Sequence, residues 1–398
     1  MEVALDLKAK SGSSTGGPVV MQVLPALDIG GVERGAIDVA AATVKAGWRS
    51  LVVSSGGTLV AELQRAGVTH ITLPVDSKNP IVMLRNVGRL VSLIRKHDVA
   101  LVHARSRAPA WSAEWAARRC RLPFVTTFHG TYDTGTLFKY WYGKVMVRGE
   151  RIIAISAFIA DYIRHTFKIA PERIVTIPRG IDLERFNPDN VSPERMIQLA
   201  SSWRLPDGVP VVMLPGRLTR WKGQLVLIEA IARLNRDDFF CLLVGPDQGR
   251  ARYRAELEAR IRSAGLNGRM RIMDDMPDMP AAYMLADIVV SASTNPEAFG
   301  RVAVEGQAMG RLVIATGHGG ARETVIAGET GWLVPPADPH ALAIALDEAL
   351  SISPELRSRI GQAARANAME NFTVEQMCAR TLDVYREVLA ERSLLAPS

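Results

Sequence analysis

Two clusters in the second half of the chain combine residue types and spacing suited to chemistry. The first reads Gly216-Arg217-Leu218-Thr219-Arg220-Trp221-Lys222-Gly223 and directly follows an apolar run. A glycine such as Gly216 at a strand end lets the backbone approach a ligand. Arg217 offers a planar fork of donors, and Lys222 adds a compact charge at the start of the next helix. That helix N-terminus contributes a partial positive charge of its own. Together these groups suit a diphosphate cradle that needs no metal ion, although an ordinary basic loop between strand and helix would contain the same residue types. The second cluster reads Pro296-Glu297-Ala298-Phe299-Gly300-Arg301-Val302-Ala303-Val304-Glu305-Gly306. Glu297 is expected in a loop and Glu305 one to two turns into a helix. A carboxylate only accepts hydrogen bonds, so each suits a diol. The backbone amides of Phe299, Gly300, Arg301 and Val302 lie where a helix start would meet phosphate oxygens. Two glutamates at this distance are common, and a capping or solvated pair would look alike; their order after the Arg217/Lys222 element is what gives them weight.

Other chemistries lack their signatures. The loop after the first apolar run, Leu27-Asp28-Ile29-Gly30-Gly31-Val32-Glu33-Arg34-Gly35, has no G-x-G-x-x-G for a dinucleotide. No phosphate loop ending in Gly-Lys-Ser/Thr, no His-Glu-x-x-His and no Asp-x-Asp triplet occurs. A bound diphosphate would therefore be neutralised by protein cations, and no cofactor or metal site is expected. Cys120, Cys241 and Cys378 are too scattered for a disulfide framework or a zinc site, which suits a reducing, cytoplasmic setting.

The positions of these residues depend on an alternating pattern. Short β-branched runs at residues 19–24, 50–54, 69–73, 99–103, 124–128, 151–155 and 174–177 alternate with amphipathic stretches such as 33–46 and 83–97. The pattern pauses at Pro178-Arg179-Gly180-Ile181-Asp182 and Phe186-Asn187-Pro188, then restarts with runs at 211–214, 239–244, 270–273, 288–290, 313–315 and 332–334. Helical sequence continues from about residue 355 to residue 392. This predicts an α/β protein with two parallel, doubly wound sheets and ligands at the strand C-termini. The length of 398 residues fits two such domains at ~150 residues each. The boundaries expected are a disordered tail at 1–17, a first domain at 18–185, a second domain at 186–372 and a C-terminal helix at 373–398.

Combined with that architecture, the two clusters resemble the retaining GT-B glycosyltransferases of glycosyltransferase family 4, from about Val19 to Leu389. Glu297 and Glu305 match the family's E-x7-E motif, and Arg217 with Lys222 matches its basic diphosphate-binding pair. The resemblance implies two facing Rossmann-like domains, 18–185 on the acceptor side and 186–372 binding the nucleotide sugar, with the C-terminal helix at 373–398 crossing back to the first. It also implies transfer of a sugar from a UDP- or GDP-sugar, with Glu297 on the sugar and Glu305 on the ribose. Gly30 and Gly31 resemble the family's N-terminal glycine loop near the donor phosphates. Thr127-Phe128-His129-Gly130 resembles the loop that places a histidine, here His129, beside the donor sugar; a strand-end histidine satisfied by backbone would read the same. Met273 lies in a stretch, 272–276, suited to holding the base through backbone groups. Residues 317–320 and Glu323 are read as shaping the donor pocket, with Glu323 equally a structural cap.

Charge separates the halves. Residues 1–190 carry 25 Lys and Arg against 16 Asp and Glu, whereas residues 191–398 carry 23 against 25. A basic first half favours anionic partners. His103, Arg105 and Arg107 follow the fourth strand, on the expected cleft rim, and suit an anionic glycan or lipid-linked acceptor; a solvated arginine pair is the plain alternative. Trp141 and Tyr142 with Lys139, Lys144 and Arg148 form a basic aromatic patch that suits peripheral contact at the inner face of the plasma membrane, as would a helix with exposed lysines. Nucleic acid is disfavoured because the basic residues are not interleaved with aromatics. The function expected is assembly of cell-envelope polysaccharide or lipopolysaccharide, the alternatives being a nucleotide-sugar epimerase or a non-catalytic nucleotide-sugar-binding protein.

Overall fold

The computed structural model describes residues 16–28, 30–274 and 278–394. Among them thirteen strands form: β1 (Val19–Val23), β2 (Arg49–Ser54), β3 (Thr69–Thr72), β4 (Val99–Ala104), β5 (Phe124–Phe128), β6 (Arg151–Ala154), β7 (Ile174–Thr176), β8 (Val211–Pro215), β9 (Phe240–Val244), β10 (Met270–Met273), β11 (Ile288–Ser291), β12 (Leu312–Thr316) and β13 (Trp332–Val334). The helices are α1 (Gly31–Lys45), α2 (Val60–Arg65), α3 (Pro80–His97), α4 (Arg107–Arg119), α5 (Leu137–Gly143), α6 (Ala157–Phe167), α7 (Pro193–Trp203), α8 (Gln224–Arg233), α9 (Ala251–Ser263), α10 (Met279–Leu285), α11 (Arg301–Ala308), α12 (Ala321–Thr324), α13 (Pro339–Ser351), α14 (Pro354–Asn371) and α15 (Val374–Leu394). Of the tail expected at 1–17, residues 1–15 lie outside the described residues.

The strands make two sheets, ordered β3-β2-β1-β4-β5-β6-β7 and β10-β9-β8-β11-β12-β13. Every neighbouring pair of the second sheet is parallel. Most strands are buried on both faces, β1, β5, β8, β9 and β12 along their whole length. Continuous apolar runs covered by helices are what parallel sheets require. The chain groups into two compact units, one of residues up to Val125 together with those from Tyr385, the other Thr126–Val384. In the first unit Leu24, Leu27, Ile37, Val52 and Leu63 close a small core. In the second, Leu214, Ile228, Leu243, Ile288, Ile314 and Leu346 belong to a much larger one.

The helical sequence expected from 355 to 392, with a separate returning helix expected from 373, forms α14 and α15. It breaks between α14 and α15, where Ile181 pairs with Thr373 as an isolated bridge. The Ile181 amide donates to the Phe372 carbonyl at 2.8 Å, and the Val374 amide donates to the Ile181 carbonyl at 3.2 Å. The crossing is so close that a Cβ on Gly180 would overlap the backbone of Thr373 and Val374. Two backbone hydrogen bonds to another segment thus replace the helical ones at this point.

Candidate functional site

The site of the second unit is built on turns that follow β8 and β11. After β8 the chain makes a short 3-10 turn, Arg220–Lys222, and enters α8 through Gly223. Gly223 has φ +76°, and a Cβ there would overlap the Ala292 carbonyl. No other residue lets the two loops approach so closely. The turn aims Lys222 across to the second loop, where its Nζ donates to Glu297 Oε1 at 2.7 Å. Both side chains are nearly closed off, 14% and 12% exposed. Arg217 is exposed, with Nη1 3.5 Å from Gln248 Oε1. Its backbone is braced by Gln224, whose amide donates to the Arg217 carbonyl at 3.0 Å and accepts from the Tyr253 hydroxyl at 3.2 Å. A fixed backbone with an uncommitted guanidinium suits a ligand-binding arginine.

Glu297 lies in the loop between β11 and α11, as expected from the sequence. Ser293 and Ser291 also donate to its Oε1. Burial alone would push this carboxyl up; the Lys222 charge and the three hydrogen bonds outweigh it and hold it below the usual carboxylate range. The loop is pinned from behind, since the Gly320 amide donates to the Glu297 carbonyl at 2.8 Å and the His318 ring lies 2.9 Å from the Ser293 carbonyl. Residues 317–320 therefore shape this loop. Phe299 is buried and packs edge-on against Phe372, ring centroids 5.6 Å apart. Gly300 is the N-cap of α11, so the first amides of Arg301 and Val302 open that helix. Glu305 sits on its second turn, where Oε2 accepts from the Tyr283 hydroxyl at 2.7 Å and Oε1 from Arg301 at 2.8 Å. Burial, and then the Glu305 charge, hold the Tyr283 phenol well above its ordinary range, so it stays a donor. The structure thus gathers Gly216, Lys222, Glu297 and Glu305 around the C-terminal ends of β8 and β11. Met273 closes β10, half-buried; residues 275 and 276 of the expected base loop lie outside the described residues.

The sequence reading missed Tyr283, Ser291 and Ser293, whose roles depend on tertiary placement. It left Glu323 open, and here that residue is a cap. Its two carboxylate oxygens accept from the Ala157 and Phe158 amides, each at 2.7 Å, at the start of α6. Ser156, the α6 N-cap, donates to the Ala298 carbonyl at 2.6 Å, next to Glu297. Glu323→Ala exposes two amides to unmet demand and removes a favourable charge from a helix start, about 1–2 kcal/mol. Its melting temperature is expected to fall by roughly 2–6 °C by calorimetry, with Glu323→Gln falling less. Equal melting of Glu323→Ala and the parent would remove the capping role.

In the first unit Gly30 is the N-cap of α1 and Gly31 its first residue. His103 and Arg105, expected on an open rim, are instead buried, Arg105 at 4% exposure. Arg105 Nε donates to Gln22 Oε1 at 2.6 Å, and its amide donates to the Val23 carbonyl at 3.0 Å. The His103 Nδ1 lies 2.6 Å from the Tyr385 hydroxyl. Burial, and then the Arg105 charge, keep the imidazole well below its ordinary pKa and so neutral. Arg105 thus presents a fixed charge between β1 and β4 rather than a solvated one. Arg107 opens α4, half-buried. His129 follows β5 directly and is half-buried. Among the described residues no group of three or more His, Cys, Asp or Glu is placed to hold a metal ion.

Residues 29–185 match the model of Glycosyltransferase Family 4, and residues 197–367 that of Glycosyl transferases group 1. A crystal structure of a glycosyltransferase from Rickettsia africae ESF-5 is 39% identical, with a TM-score of 0.88 over 94% of this chain and 99% of that one. The chain belongs to glycosyltransferase family 4. Its fold is GT-B, two parallel-sheet Rossmann-like domains. The same fold occurs in Anabaena HepE in complex with UDP-glucose, 24% identical with a TM-score of 0.79, covering 92% of this chain and 99% of that one. A D-inositol 3-phosphate glycosyltransferase of Corynebacterium glutamicum (strain R) is 35% identical over 244 residues, 58% of this chain. That match spans 55% of the relative's length, and the matches to the next two relatives span 60% and 53% of theirs.

Proposed function

We propose that this family 4 member transfers a sugar from a UDP-sugar to a hydroxyl of an anionic acceptor, with retention at the anomeric carbon and without a metal ion. The observation that carries the reading is the nearly closed-off Lys222–Glu297 pair beside the starts of α8 and α11. A diphosphate entering there would draw Lys222 and the exposed Arg217 toward its oxygens and free Glu297 for a sugar hydroxyl. Glu305, oriented by Tyr283 and Arg301, would take the ribose diol. In the transfer, the anomeric C–O bond to the diphosphate breaks and a C–O bond to the acceptor forms on the same face. The acceptor's proton passes to the departing phosphate oxygen. Lys222, Arg217 and the helix amides meet charge where it develops, so no separate nucleophile is needed. Gly31 and His129 are assigned to donor phosphates and donor sugar.

UDP is favoured over GDP as the base carrier because HepE, which shares the fold, was solved with UDP and with UDP-glucose. An anionic acceptor fits the basic first half, and several curated relatives are named for D-inositol 3-phosphate. A phosphorylated polyol is thereby preferred to a lipopolysaccharide core. Among the described residues no helix is long and apolar enough to cross a membrane. Leu137 and Phe138 on α5 are 89% and 73% exposed beside Lys139 and Lys144, which suits peripheral contact with an anionic bilayer from the cytoplasmic side.

The test is a panel of UDP- and GDP-sugars incubated with and without inositol phosphate. Transfer that requires the acceptor, and UDP binding by calorimetry, are expected. An epimer formed without acceptor would establish the epimerase instead. Tight UDP binding with neither transfer nor hydrolysis would establish a binding protein.

A further inference from the structure

The second unit holds another concavity, at the edge of its sheet opposite to Lys222 and Glu297. Those residues follow the C-terminal ends of β8 and β11. Asp287 precedes β11 and Arg311 precedes β12, and both line a cavity of about 510 Å³ bounded on its other side by α14. Arg357 and Arg365 of α14, eight residues apart and hence on one helix face, line it as well.

The charges there do not balance. Three guanidiniums line the cavity with one carboxylate. Asp287 is already divided: its Oδ1 accepts from Arg357 at 2.6 Å, and its Oδ2 from the Val211 amide at 2.8 Å. Arg365 reaches outward to Asn187 Oδ1 at 2.8 Å and to Asp189 at 3.3 Å, a mostly exposed carboxylate. Arg311 spends its Nε on the Met309 carbonyl at 2.9 Å. Burial pulls the Arg311 guanidinium below its ordinary pKa; the Asp287 charge opposes this and Arg357 reinforces it. A partly desolvated arginine facing a second arginine, with half a carboxylate between them, is an arrangement that a bound anion would relieve. Met309, Leu312, Ile352 and Pro354 supply an apolar part of the wall, beside the polar Ser358 and Gln362.

We propose that this cavity binds a phosphate monoester, its dianion held by Arg311, Arg357 and Arg365 and its organic body against the apolar wall. The lining carries an excess of two positive charges, or one once the Asp189 partner of Arg365 is counted, and a phosphate monoester at neutral pH carries ~−1.5 to −2. The planar forks of arginine suit its oxygens. The cavity falls within the ordinary size range of small-molecule sites. A free phosphate ion has the charge but nothing to place on the apolar side. The site lies outside the donor machinery and does not depend on what that machinery does.

Glucose 6-phosphate, inorganic phosphate and glucose serve as probes in calorimetric titrations of the full chain. Glucose 6-phosphate is expected to bind more tightly than inorganic phosphate, and glucose not at all. Arg311→Gln and Arg365→Gln should each weaken the ester at least tenfold. Arg311→Lys should weaken it less than Arg311→Gln, because it keeps the charge and loses only the fork. Lys222→Gln should leave ester binding unchanged. Thermal melting verifies that the variants are folded, and Arg365, partly exposed on α14, provides a variant whose folding does not depend on the half-buried Arg311. Three outcomes would each overturn the proposal: no ester binding at millimolar concentration, equal affinity for inorganic phosphate, or ester binding lost in Lys222→Gln and kept in Arg311→Gln.

Discussion

Lys222→Ala is expected to lose turnover by about 100- to 1000-fold and UDP affinity by roughly 10- to 100-fold, the scale of removing one preorganised cation from a developing anion. A second consequence separates this residue from an ordinary surface lysine. Its partner Glu297 is 12% exposed in the side chain and would keep its two serine donors but lose its counter-charge. Breaking a buried pair from one side costs about 3–5 kcal/mol, so the melting temperature should fall on the order of 10 °C. The pH dependence gives the sign. In the parent the Glu297 pKa is depressed, so the stabilisation is present above the ordinary carboxylate range and is lost as pH falls through the folded-state value. Without Lys222, desolvation becomes the dominant influence and raises the carboxyl, so the variant should regain stability as pH falls toward the ordinary carboxylate range, where the parent does not. Lys222→Met with Glu297→Gln should recover most of the melting temperature but none of the turnover. Full activity in Lys222→Ala, measured with saturating donor, would end the cradle assignment.

The strands were legible because most are short apolar runs buried on both faces, and the sequence pattern reports that kind of burial directly. β5, β10 and β13 fall at the residues expected, and the other strands differ by one residue at one end, β12 at both ends. The pairing of Glu297 with Lys222 was only half legible. The E-x7-E spacing and the basic loop located both residues, but their 2.7 Å contact depends on Gly223 letting two loops touch backbone to backbone. The sequence reading places the start of a returning helix at residue 373, and Thr373 carries a helix-start signal. The Gln376 amide donates to Thr373 Oγ1 at 3.1 Å and the Thr373 amide to Gln376 Oε1 at 3.4 Å, a capping box. Only the partner Ile181, far away in sequence, was illegible. Arg105 shows the opposite error. A charged residue just after a strand reads as a rim position, yet Gln22 on β1 offers it a buried acceptor. Tyr283 sits in an apolar stretch with nothing local to set it apart from core tyrosines, and only the fold brings its hydroxyl to Glu305.

Glu297→Gln divides the two glutamates by role. The amide keeps the size of the carboxylate and one acceptor oxygen, and loses the charge. If Glu297 grips the transferred sugar as its positive character develops, turnover should fall by about 100- to 1000-fold, since the interaction is strongest in the transition state. UDP affinity should hold or rise a few-fold, because Lys222 no longer shares its charge with a carboxylate when a diphosphate arrives. Glu305→Gln should behave in reverse. Its carboxylate is held by Tyr283 and Arg301, and the role proposed for it is on the ribose diol rather than at the reacting carbon. Losing a charge-assisted hydrogen bond to a ribose weakens UDP by roughly 10- to 100-fold, while turnover at saturating donor changes far less. Binding by calorimetry and turnover by product release, measured on both variants, form a crossed pair. If Glu297→Gln weakened UDP and left turnover intact while Glu305→Gln did the opposite, the roles would be exchanged; if neither variant moved either quantity, both carboxylates would be structural and the donor would lie elsewhere.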